Sequence, residues 1–500
     1  IKDAIVSFGG FCTGEIISDK GLILTNHHCG YDAIAGKSTE EHNYLDDGFW
    51  AKNHAEEIPI EGLHATFVIR IEDVSELINK ELKFEMSEEE RQAKIKEISD
   101  ILTEDATKGT HYKAFVRDFF EGNEFYLFVT ERFDDVRMVG TPPQSSGKFG
   151  GDTDNWMWPR HTADFSMFRV YAGSDNKPAA YSSENKPFKP RHSLPISLKG
   201  VEENDFAMIL GFPGSTDRYL SSFGVEQAIT LEQPKRVDVR AKKLEIMKSY
   251  MDKDVAVRLK YSSKYAQVAN YWKYFIGQTE QVKNNDVIGK KQKLEAEFTD
   301  YMKNKRVPFD VLGAMKDYYD NSNAIVNINV YQSEFIYTVD MNVSAFRYKF
   351  WIDALDGGQE DRAGFIAMRL GQLTNEFFEN ANMDIELDIL EEVLAMYIND
   401  VPMDQLGPVS KKIVSKGMKG VKKYIKKVRK KSIFADKARF EAFNANPDRK
   451  KLEKDPLFIL IMDMNKAYEK ATGTEELQKA EEQLKKANRF LVGAIRDMNP

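Results

Sequence analysis

The chain is 500 residues long, with 42% hydrophobic residues and a formal net charge of -8. A chain of this length is expected to form roughly three domains with sizeable cores. The acidic balance argues against a general nucleic-acid partner, and no run approaches the roughly 20 apolar residues that a membrane span needs. We therefore expect a soluble globular protein with no nucleic-acid or membrane partner.

The first predicted strands lie between the two cysteines of the chain. Residues 15–18 and 22–25 have strand-like composition and are joined by a glycine-containing turn, so they predict a β-hairpin. This hairpin brings Cys12 back towards Cys29, and a single disulfide is the simplest interpretation. Two buried free thiols are the alternative. A disulfide indicates an oxidising compartment.

Residues 1–215 have the pattern of a mostly β region, whereas residues 216–500 have the pattern of a helical one. In the first region, short runs of β-branched and aromatic residues predict strands, with one helical insertion at 87–103. The predicted strands cover residues 66–71, 124–130, 135–139, 164–171 and 205–210. A turn cluster at 211–215 marks the boundary, beyond which apolar residues recur every three or four positions.

The helical region contains one strongly basic stretch. Residues 411–431 hold eleven Lys or Arg and no acidic residue, and their apolar residues follow a helical spacing. A basic amphipathic helix can bind nucleic acid or an anionic membrane. A helix with a solvated polar face explains the same pattern, and this interpretation is preferred because the rest of the chain is acidic.

His28 is the candidate general base of the chain. It follows an apolar strand and directly precedes Cys29, which is how a chymotrypsin-like serine protease presents its catalytic histidine. A histidine can take a proton from a serine hydroxyl when a carboxylate fixes its tautomer. Asp164 begins a strand-like run and is the predicted carboxylate, with Asp152 and Asp154 as alternatives.

Two other interpretations of this segment remain open. His27 competes with His28 for the role of base, and His28 is preferred because it adjoins the cysteine. A zinc site built from His27, His28 and Cys29 is a poor candidate, since three consecutive residues cannot easily converge on one tetrahedral ion. The sequence has no His-Glu-x-x-His or paired Cys-x-x-Cys spacing. Neither a metal nor a cofactor is therefore predicted.

The nucleophile is the missing part of this arrangement. A serine in a Gly-x-Ser-Gly setting would supply both the hydroxyl and the amides of an oxyanion hole. The nearest candidates are Ser215, in a turn that follows a strand-like run, and Ser146, which precedes a flexible glycine-rich loop. Neither serine fits this setting.

Four longer motifs carry a family resemblance, at residues 25–31, 148–162, 211–219 and 264–273. Together they closely resemble the bacterial dipeptidyl peptidases of types 7 and 11, over the whole chain. The resemblance implies a β plus α multidomain protein, in which a chymotrypsin-like double β-barrel carries a large inserted α-helical domain. The C-terminal part of the barrel would lie beyond this chain. A homodimer and a periplasmic or cell-surface location are also expected.

The resemblance assigns roles to single residues. It implies that His28 is the general base and that Asp164 orients it. Asn155, Trp156 and Asn270 match positions that hold the free α-amine of the substrate. Amide oxygens can accept hydrogen bonds from an ammonium group, and an indole can close the end of a cleft. The nucleophilic serine is expected beyond the last residue of this chain, which alone cannot complete a triad.

The predicted function is a serine exopeptidase that releases dipeptides from oligopeptides with a free N-terminus. Type 11 enzymes release dipeptides that end in Asp or Glu, and type 7 enzymes those that end in apolar residues. The local sequence of residues 29–34 favours type 11. The alternatives are a type 7-like preference, a trypsin-clan endoprotease and a noncatalytic peptide-binding protein. Trp158, beside the motif residue Trp156, is expected to pack in the core.

Overall fold

The computed structural model describes residues 1–303, 305 and 309–499. The chain divides into two units, one formed by Ile1–Tyr219 with the chain from Lys485 onward, and one formed by Leu220–Leu484. The boundary expected after residue 215 differs from this division by a few residues. The expected helical domain also included the end of the chain, whereas the segment from Lys485 groups with the first unit. Pro500 lies outside the described residues.

The first unit contains an antiparallel sheet of 11 strands. Its strands are β1 Ile5–Phe8, β2 Cys12–Ile16, β3 Leu22–Thr25, β4 Phe49–Trp50, β5 Ile58–Pro59, β6 Ala65–Asp73, β7 Lys113–Phe119, β8 Glu124–Phe133, β9 Asp135–Thr141, β10 Ser166–Ala172 and β11 Lys186–Pro187. Their order along the sheet is β4-β9-β10-β3-β2-β1-β6-β8-β7, with β5 on β9 and β11 on β10. The helices of this part are α1 His27–Lys37, α2 Tyr44–Asp47, α3 Ser75–Asn79, α4 Glu88–Thr107 and α5 Gln144–Gly147.

Large apolar side chains from several strands form the core of the first unit. Phe8, Ile23, Phe133 and Phe168 are completely buried, and the rings of Phe8 and Phe168 lie 4.9 Å apart between centroids. Burial of one such side chain contributes about 1.5–3 kcal/mol. The contact between β1 and β10 fixes the strand that leads away from Asp164.

Several elements that the sequence predicts are present in the first unit. The hairpin pairs β2 with β3, with Glu15 opposite Leu24. The strands predicted at 66–71, 124–130 and 135–139 correspond to β6, β8 and β9. The predicted helical insertion is α4, whose first turn is closed by a reciprocal capping box between Ser87 and Glu90.

The strand predicted at 205–210 is wrong, because this segment forms no strand. Its large side chains point to solvent, with Phe206 88% and Ile209 99% exposed. A strand requires a neighbour for its backbone donors and acceptors. Among the described residues, no other segment pairs with it, so its composition alone does not produce the predicted structure.

The second unit is helical. Its helices are α6 Ser222–Gln227, α7 Gln233–Met251, α8 Val255–Asn284, α9 Val287–Met302, α10 Val311–Asn323, α11 Val326–Tyr331, α12 Asp340–Asp356, α13 Glu360–Asn380, α14 Met383–Asp400, α15 Pro408–Val414, α16 Gly417–Lys431, α17 Lys437–Asn444, α18 Arg449–Leu452 and α19 Pro456–Thr472. The last helix, α20 Glu475–Met498, begins here and continues into the first unit. Among the described residues, no helix has both the length and the apolar character needed to span a membrane.

Helix α8 is anchored to the second unit by buried charges. Lys264 Nζ lies 2.7 Å from Asp340 Oδ2 and 3.1 Å from Glu386 Oε1. Glu386 is completely buried and also accepts a hydrogen bond from Tyr261 at 3.0 Å. A buried carboxylate needs such partners, because leaving it unpaired is costly. This network fixes the first third of α8, about two helical turns before Asn270.

Candidate active site

The beginning of α1 carries two neighbouring histidines and packs closely against β10. Asn26 is the last residue before the helix and has an extended backbone. Ser166, the first residue of β10, donates a hydrogen bond to the Asn26 carbonyl at 2.8 Å. A side chain at Gly30 would come within 2.7 Å of Ser166 Oγ and 3.0 Å of the Phe168 ring. Glycine therefore permits the close approach that places α1 beside the residues preceding β10.

His28 and Asp164 are brought into direct contact by this packing. The Nδ1 atom of His28 lies 2.7 Å from Asp164 Oδ2, and the His28 backbone N–H donates to Asp164 Oδ1 at 3.0 Å. Asn26 Nδ2 also donates to the Asp164 carbonyl oxygen at 3.2 Å. The two oxygens of the carboxylate thus hold one residue by its main chain and its ring, which fixes the orientation of the imidazole.

The environment keeps Asp164 ionised. Burial opposes its ionisation, but the hydrogen bonds and charge of His28 outweigh burial, and the pKa of the Asp164 carboxyl is lowered. The His28 side chain is 67% exposed, and among the described residues its Nε2 atom makes no hydrogen bond. The histidine is therefore oriented by a carboxylate on one side and accessible on the other, as a general base must be.

A disulfide holds the first turn of α1 to the hairpin. Cys12 on β2 is bonded to Cys29, with their Cα atoms 6.0 Å apart, as the simplest interpretation of the sequence predicts. The sulfur atoms lie close to a nitrogen of His28. Because they are bonded to each other, neither is available as a thiolate ligand. The zinc site considered for His27, His28 and Cys29 therefore lacks its strongest donor.

His27 occupies a different environment from His28. Its side chain is completely buried, and within the part of the chain that the structure describes neither ring nitrogen has a hydrogen-bond partner. Burial lowers the pKa of the His27 imidazole to about 4. The ring contacts Tyr31 edge-on at 5.8 Å, and a side chain at Gly147 would collide with it. His27 therefore packs between α1 and α5, an environment that suits a proton-transferring base less well than the environment of His28.

The loop after α5 is organised by Arg160. Its Nη2 atom donates to the Phe149 and Gly151 carbonyl oxygens at 3.2 and 3.1 Å, and its Nη1 atom donates to Asn155 Oδ1 at 3.3 Å. Thr162 Oγ1 lies 3.1 Å from the Gly147 carbonyl. One guanidinium thus ties two carbonyls and one side chain together across the loop.

The remaining candidates of this loop occupy distinct positions. Asp152 forms an ion pair with Lys148 at 2.8 Å, and the bonds of His28 go to Asp164; Asp152 and Asp154 are thus not its partners. Trp156 is 59% exposed and has a left-handed backbone with φ 62°. The expectation of core packing for Trp158 is wrong, since this side chain is 92% exposed.

The residues proposed to bind the substrate amine are divided between the two units. Asn155 and Trp156 lie in the Arg160 loop of the first unit, and Asn270 lies half-buried on α8 of the second. The Asn155 side-chain oxygen accepts from Arg160, and an amide oxygen has two lone pairs. The shared role of these residues stays a prediction.

Neither serine considered as nucleophile contacts the base. Ser146 lies on α5 and Ser215 in the exposed segment before the second unit, whereas His28 bonds to Asp164 alone among the described residues. The sequence interpretation also overlooked Asn26 and Arg160. Both lie inside motifs that carry the family resemblance, Asn26 in residues 25–31 and Arg160 in residues 148–162. Their polar side chains close to predicted site residues were the signal that could have identified them.

Comparison with known proteins gives consistent results for sequence and structure. The family description Peptidase S46 matches residues 1–500. A dipeptidyl-peptidase 7 from Porphyromonas gingivalis is 39% identical over 508 residues, covering 100% of this chain and 70% of that protein. An Asp/Glu-specific dipeptidyl-peptidase from Flavobacterium psychrophilum is also 39% identical, covering 94% of this chain and 66% of that protein.

Solved structures show the same similarity. The crystal structure of Porphyromonas endodontalis DPP11 in complex with the dipeptide Arg-Glu matches with a TM-score of 0.86 at 30% identity, covering 100% of this chain and 72% of that chain. The chain spans less than the full length of its relatives, for example 64% of a dipeptidyl-peptidase 7 from Capnocytophaga gingivalis. The similarity therefore concerns a large part of these proteins and not their whole length.

Proposed function

The chain belongs to the peptidase S46 family, and on this basis we propose that it forms part of a serine exopeptidase that releases dipeptides from the free N-terminus of oligopeptides. The observation that carries the proposal is the contact of His28 Nδ1 with Asp164 Oδ2 at 2.7 Å. The relatives named as dipeptidyl-peptidases support the choice of reaction.

In the proposed reaction, His28 takes the proton of a serine hydroxyl through Nε2 while the serine oxygen attacks the carbonyl of the second substrate residue. His28 then gives this proton to the amine of the departing peptide. Water hydrolyses the acyl-enzyme, with the same histidine as base. Asp164 stabilises the imidazolium and keeps the proton on Nδ1 in the neutral form.

The length of the released product requires a group that binds the N-terminus. We assign this role to Asn155 and Asn270, whose amide oxygens suit an ammonium group, and to Trp156 as the wall of the cleft. Arg160 supports the assignment, because it holds Asn155 in a defined position on the loop. An acetylated N-terminus has no ammonium group and would bind poorly.

The proposal places the nucleophilic serine, and the second half of a double β-barrel, outside these 500 residues. Two observations support it: the relatives are longer than this chain, and the segment before the second unit exposes large apolar side chains. Among them, Leu198 is 96% and Ile209 is 99% exposed. Such side chains gain free energy by packing against a further layer of structure.

The second-residue preference is proposed as Asp or Glu, from the sequence of residues 29–34. An apolar preference is the alternative, and the relatives at 39% identity include proteins of both names. A periplasmic or cell-surface location also belongs to the proposal and is supported by the disulfide. A homodimer is proposed by resemblance, and the mass of the full-length protein in solution tests it.

The decisive experiment uses the full-length protein and a panel of peptides with Asp, Glu, Leu or Phe at the second position, each with a free and an acetylated N-terminus. Mass spectrometry of the products identifies both the product length and the preference. We expect dipeptides from free peptides alone, and no release by a His28→Ala variant of equal thermal stability.

Other outcomes identify the alternative functions. Cleavage of acetylated peptides at internal bonds would indicate an endoprotease and contradict the amine-binding role. Binding of peptides without cleavage by the full-length wild-type protein would indicate a noncatalytic peptide-binding protein. Dipeptides released mainly from peptides with Leu or Phe second would correct the acidic preference but leave the reaction unchanged.

A further inference from the structure

Helices α15 and α16 present a continuous basic surface. All eleven Lys and Arg side chains of residues 411–431, here called the basic face, are exposed to solvent. Three apolar side chains of α16, those of Val421, Ile425 and Val428, are buried in the helical unit, whereas Met418 near the start of the helix is exposed. The helix is therefore fixed by its apolar side, and its cations are all directed outward.

Four lysines form the centre of the basic face. Lys419, Lys423, Lys426 and Lys430 follow one another at the spacings that place residues on the same side of a helix. With a rise of 1.5 Å per residue, this row extends over about 16 Å. Neighbouring lysines at this spacing repel each other and weaken the helix, so the row carries an electrostatic cost within the isolated protein.

Several exposed lysines elsewhere in the same unit form ion pairs with an acidic side chain of their own helix. Lys242 lies 2.8 Å from Glu245, and Lys248 lies 2.9 Å from Asp252, one helical turn away. In the basic face, the one ion pair among the described residues joins Arg429 to Asp384 at 2.6 Å. Without the basic face, the chain has 60 basic and 79 acidic side chains. The basic face is thus a local feature that differs from its surroundings.

We propose that the basic face binds the surface of a membrane rich in anionic phosphate headgroups. Clusters of this size are attracted to anionic lipid surfaces, and lysine interacts with phosphate as a compact point charge. Because the apolar side of α16 is buried in the protein, the helix does not insert, and binding is electrostatic and sensitive to salt. The basic face was expected from the sequence to be merely solvated; its unneutralised row of lysines favours a partner instead.

A single-stranded nucleic acid fits the basic face less well. Proteins that bind single strands combine cations with exposed aromatic side chains on which bases stack. The sole aromatic residue of this stretch is Tyr424, which is half-buried and donates a hydrogen bond to the Pro456 carbonyl at 2.8 Å. A row of lysines without stacking side chains is better suited to a broad surface of phosphates.

The test compares two fourfold variants of the full-length protein. One replaces the central row, K419Q/K423Q/K426Q/K430Q, and the matched control replaces four exposed, ion-paired lysines of the same unit, K242Q/K248Q/K293Q/K316Q. Both remove the same charge. Co-sedimentation is measured with vesicles of phosphatidylcholine alone and with about 30% phosphatidylglycerol, at low and at physiological salt. Thermal unfolding verifies that both variants are folded.

We expect the wild-type protein to bind the anionic vesicles at low salt and not the neutral ones, and binding to decrease as salt is raised. The central-row variant should bind at least about tenfold more weakly, and the control should change less than about twofold. The proposal is wrong if anionic vesicles do not bind, if the control loses as much affinity as the central-row variant, or if single-stranded DNA of equal phosphate concentration binds more tightly than the vesicles.

Discussion

Two adjacent histidines at the start of α1 have opposite environments. His28 is largely exposed and contacts a carboxylate, whereas His27 is completely buried and its ring has no hydrogen-bond partner among the described residues. The residue type, the helix and the first turn are the same for both. The difference shows that the partner and the solvent access of an imidazole decide whether it can transfer protons or fill space.

The largest expected effect separates the two histidines by activity. His28→Ala should reduce kcat by about 10⁴-fold or more, because the base is lost, and His27→Leu should reduce it by less than about tenfold. Steady-state kinetics of the full-length protein on its best dipeptide substrate checks both values. Similar losses of kcat in the two variants would contradict the assignment of His28 as the base.

Asp164 is the partner that distinguishes His28, so its substitution should approach the same loss. Asp164→Asn keeps the shape of the side chain but favours the wrong tautomer of His28, and we expect kcat to decrease by about 10⁴-fold. Asp152→Asn is the matched control, since Asp152 pairs with Lys148, and its kcat should stay within about threefold of wild type. An Asp164→Asn variant with nearly full activity would contradict the proposed pair.

The disulfide at Cys29 constrains the helix that carries both histidines. It closes a loop with a sequence separation of 17, for which the loss of chain entropy corresponds to about 3 kcal/mol of stability. Cys12→Ser with Cys29→Ser should lower the free energy of unfolding by this order, as measured by denaturant titration. If stability is unchanged, the hairpin holds α1 without the bond.

The pH dependence of stability should reveal the buried histidine. The pKa of His27 is about 4 in the folded protein and 6.5 when unperturbed, so the unfolded chain binds a proton first as pH falls. The free energy of unfolding is therefore unaffected by this group above pH 6.5. It decreases as pH falls from 6.5 towards 4, by about 3 kcal/mol in total. His27→Leu should remove this part of the slope, which parallel denaturant titrations at several pH values measure.

The smallest expected effect concerns the selection of substrates by their free N-terminus. Asn155→Ala should raise KM for free-amine peptides by about tenfold, because one hydrogen bond to a charged group is lost, while kcat changes little. The ratio of kcat/KM for free peptides to kcat/KM for acetylated peptides measures this loss of selection. An unchanged ratio would refute the binding of the substrate amine by Asn155, but it would leave the assignment of His28 as the base unaffected.

Local patterns predicted much of the first unit and of its site. Alternating apolar residues indicated β8 and β9, and the position of His28 beside a cysteine distinguished it from His27. Its contact with Asp164 spans 136 positions of sequence, and the choice of Asp164 came from its place at the head of a strand-like run and from the family resemblance. In the structure, strand β10 adjoins β3, with Ser166 opposite Thr25, which explains the contact.

Features that depend on distant partners could not be predicted in this way. Phe206 belongs to a segment of strand-like composition with which no strand pairs in the described ranges of the chain. The last helix carries a regular amphipathic pattern, but ion pairs of Arg489 with Glu88 and of Arg496 with Glu124 hold its end in the first unit. Arg160 acts through main-chain carbonyls, and sequence does not record which carbonyls a guanidinium will reach.

The contact of His27 with Gly147 has a consequence for sequence variation. The imidazole occupies the space that any side chain at position 147 would need, so the two positions cannot change independently. Among homologous sequences, we expect glycine at 147 wherever histidine stands at 27, and a larger residue at 147 to be accompanied by a smaller one at 27. The pair should therefore evolve as a single unit, although 120 positions separate its members along the chain.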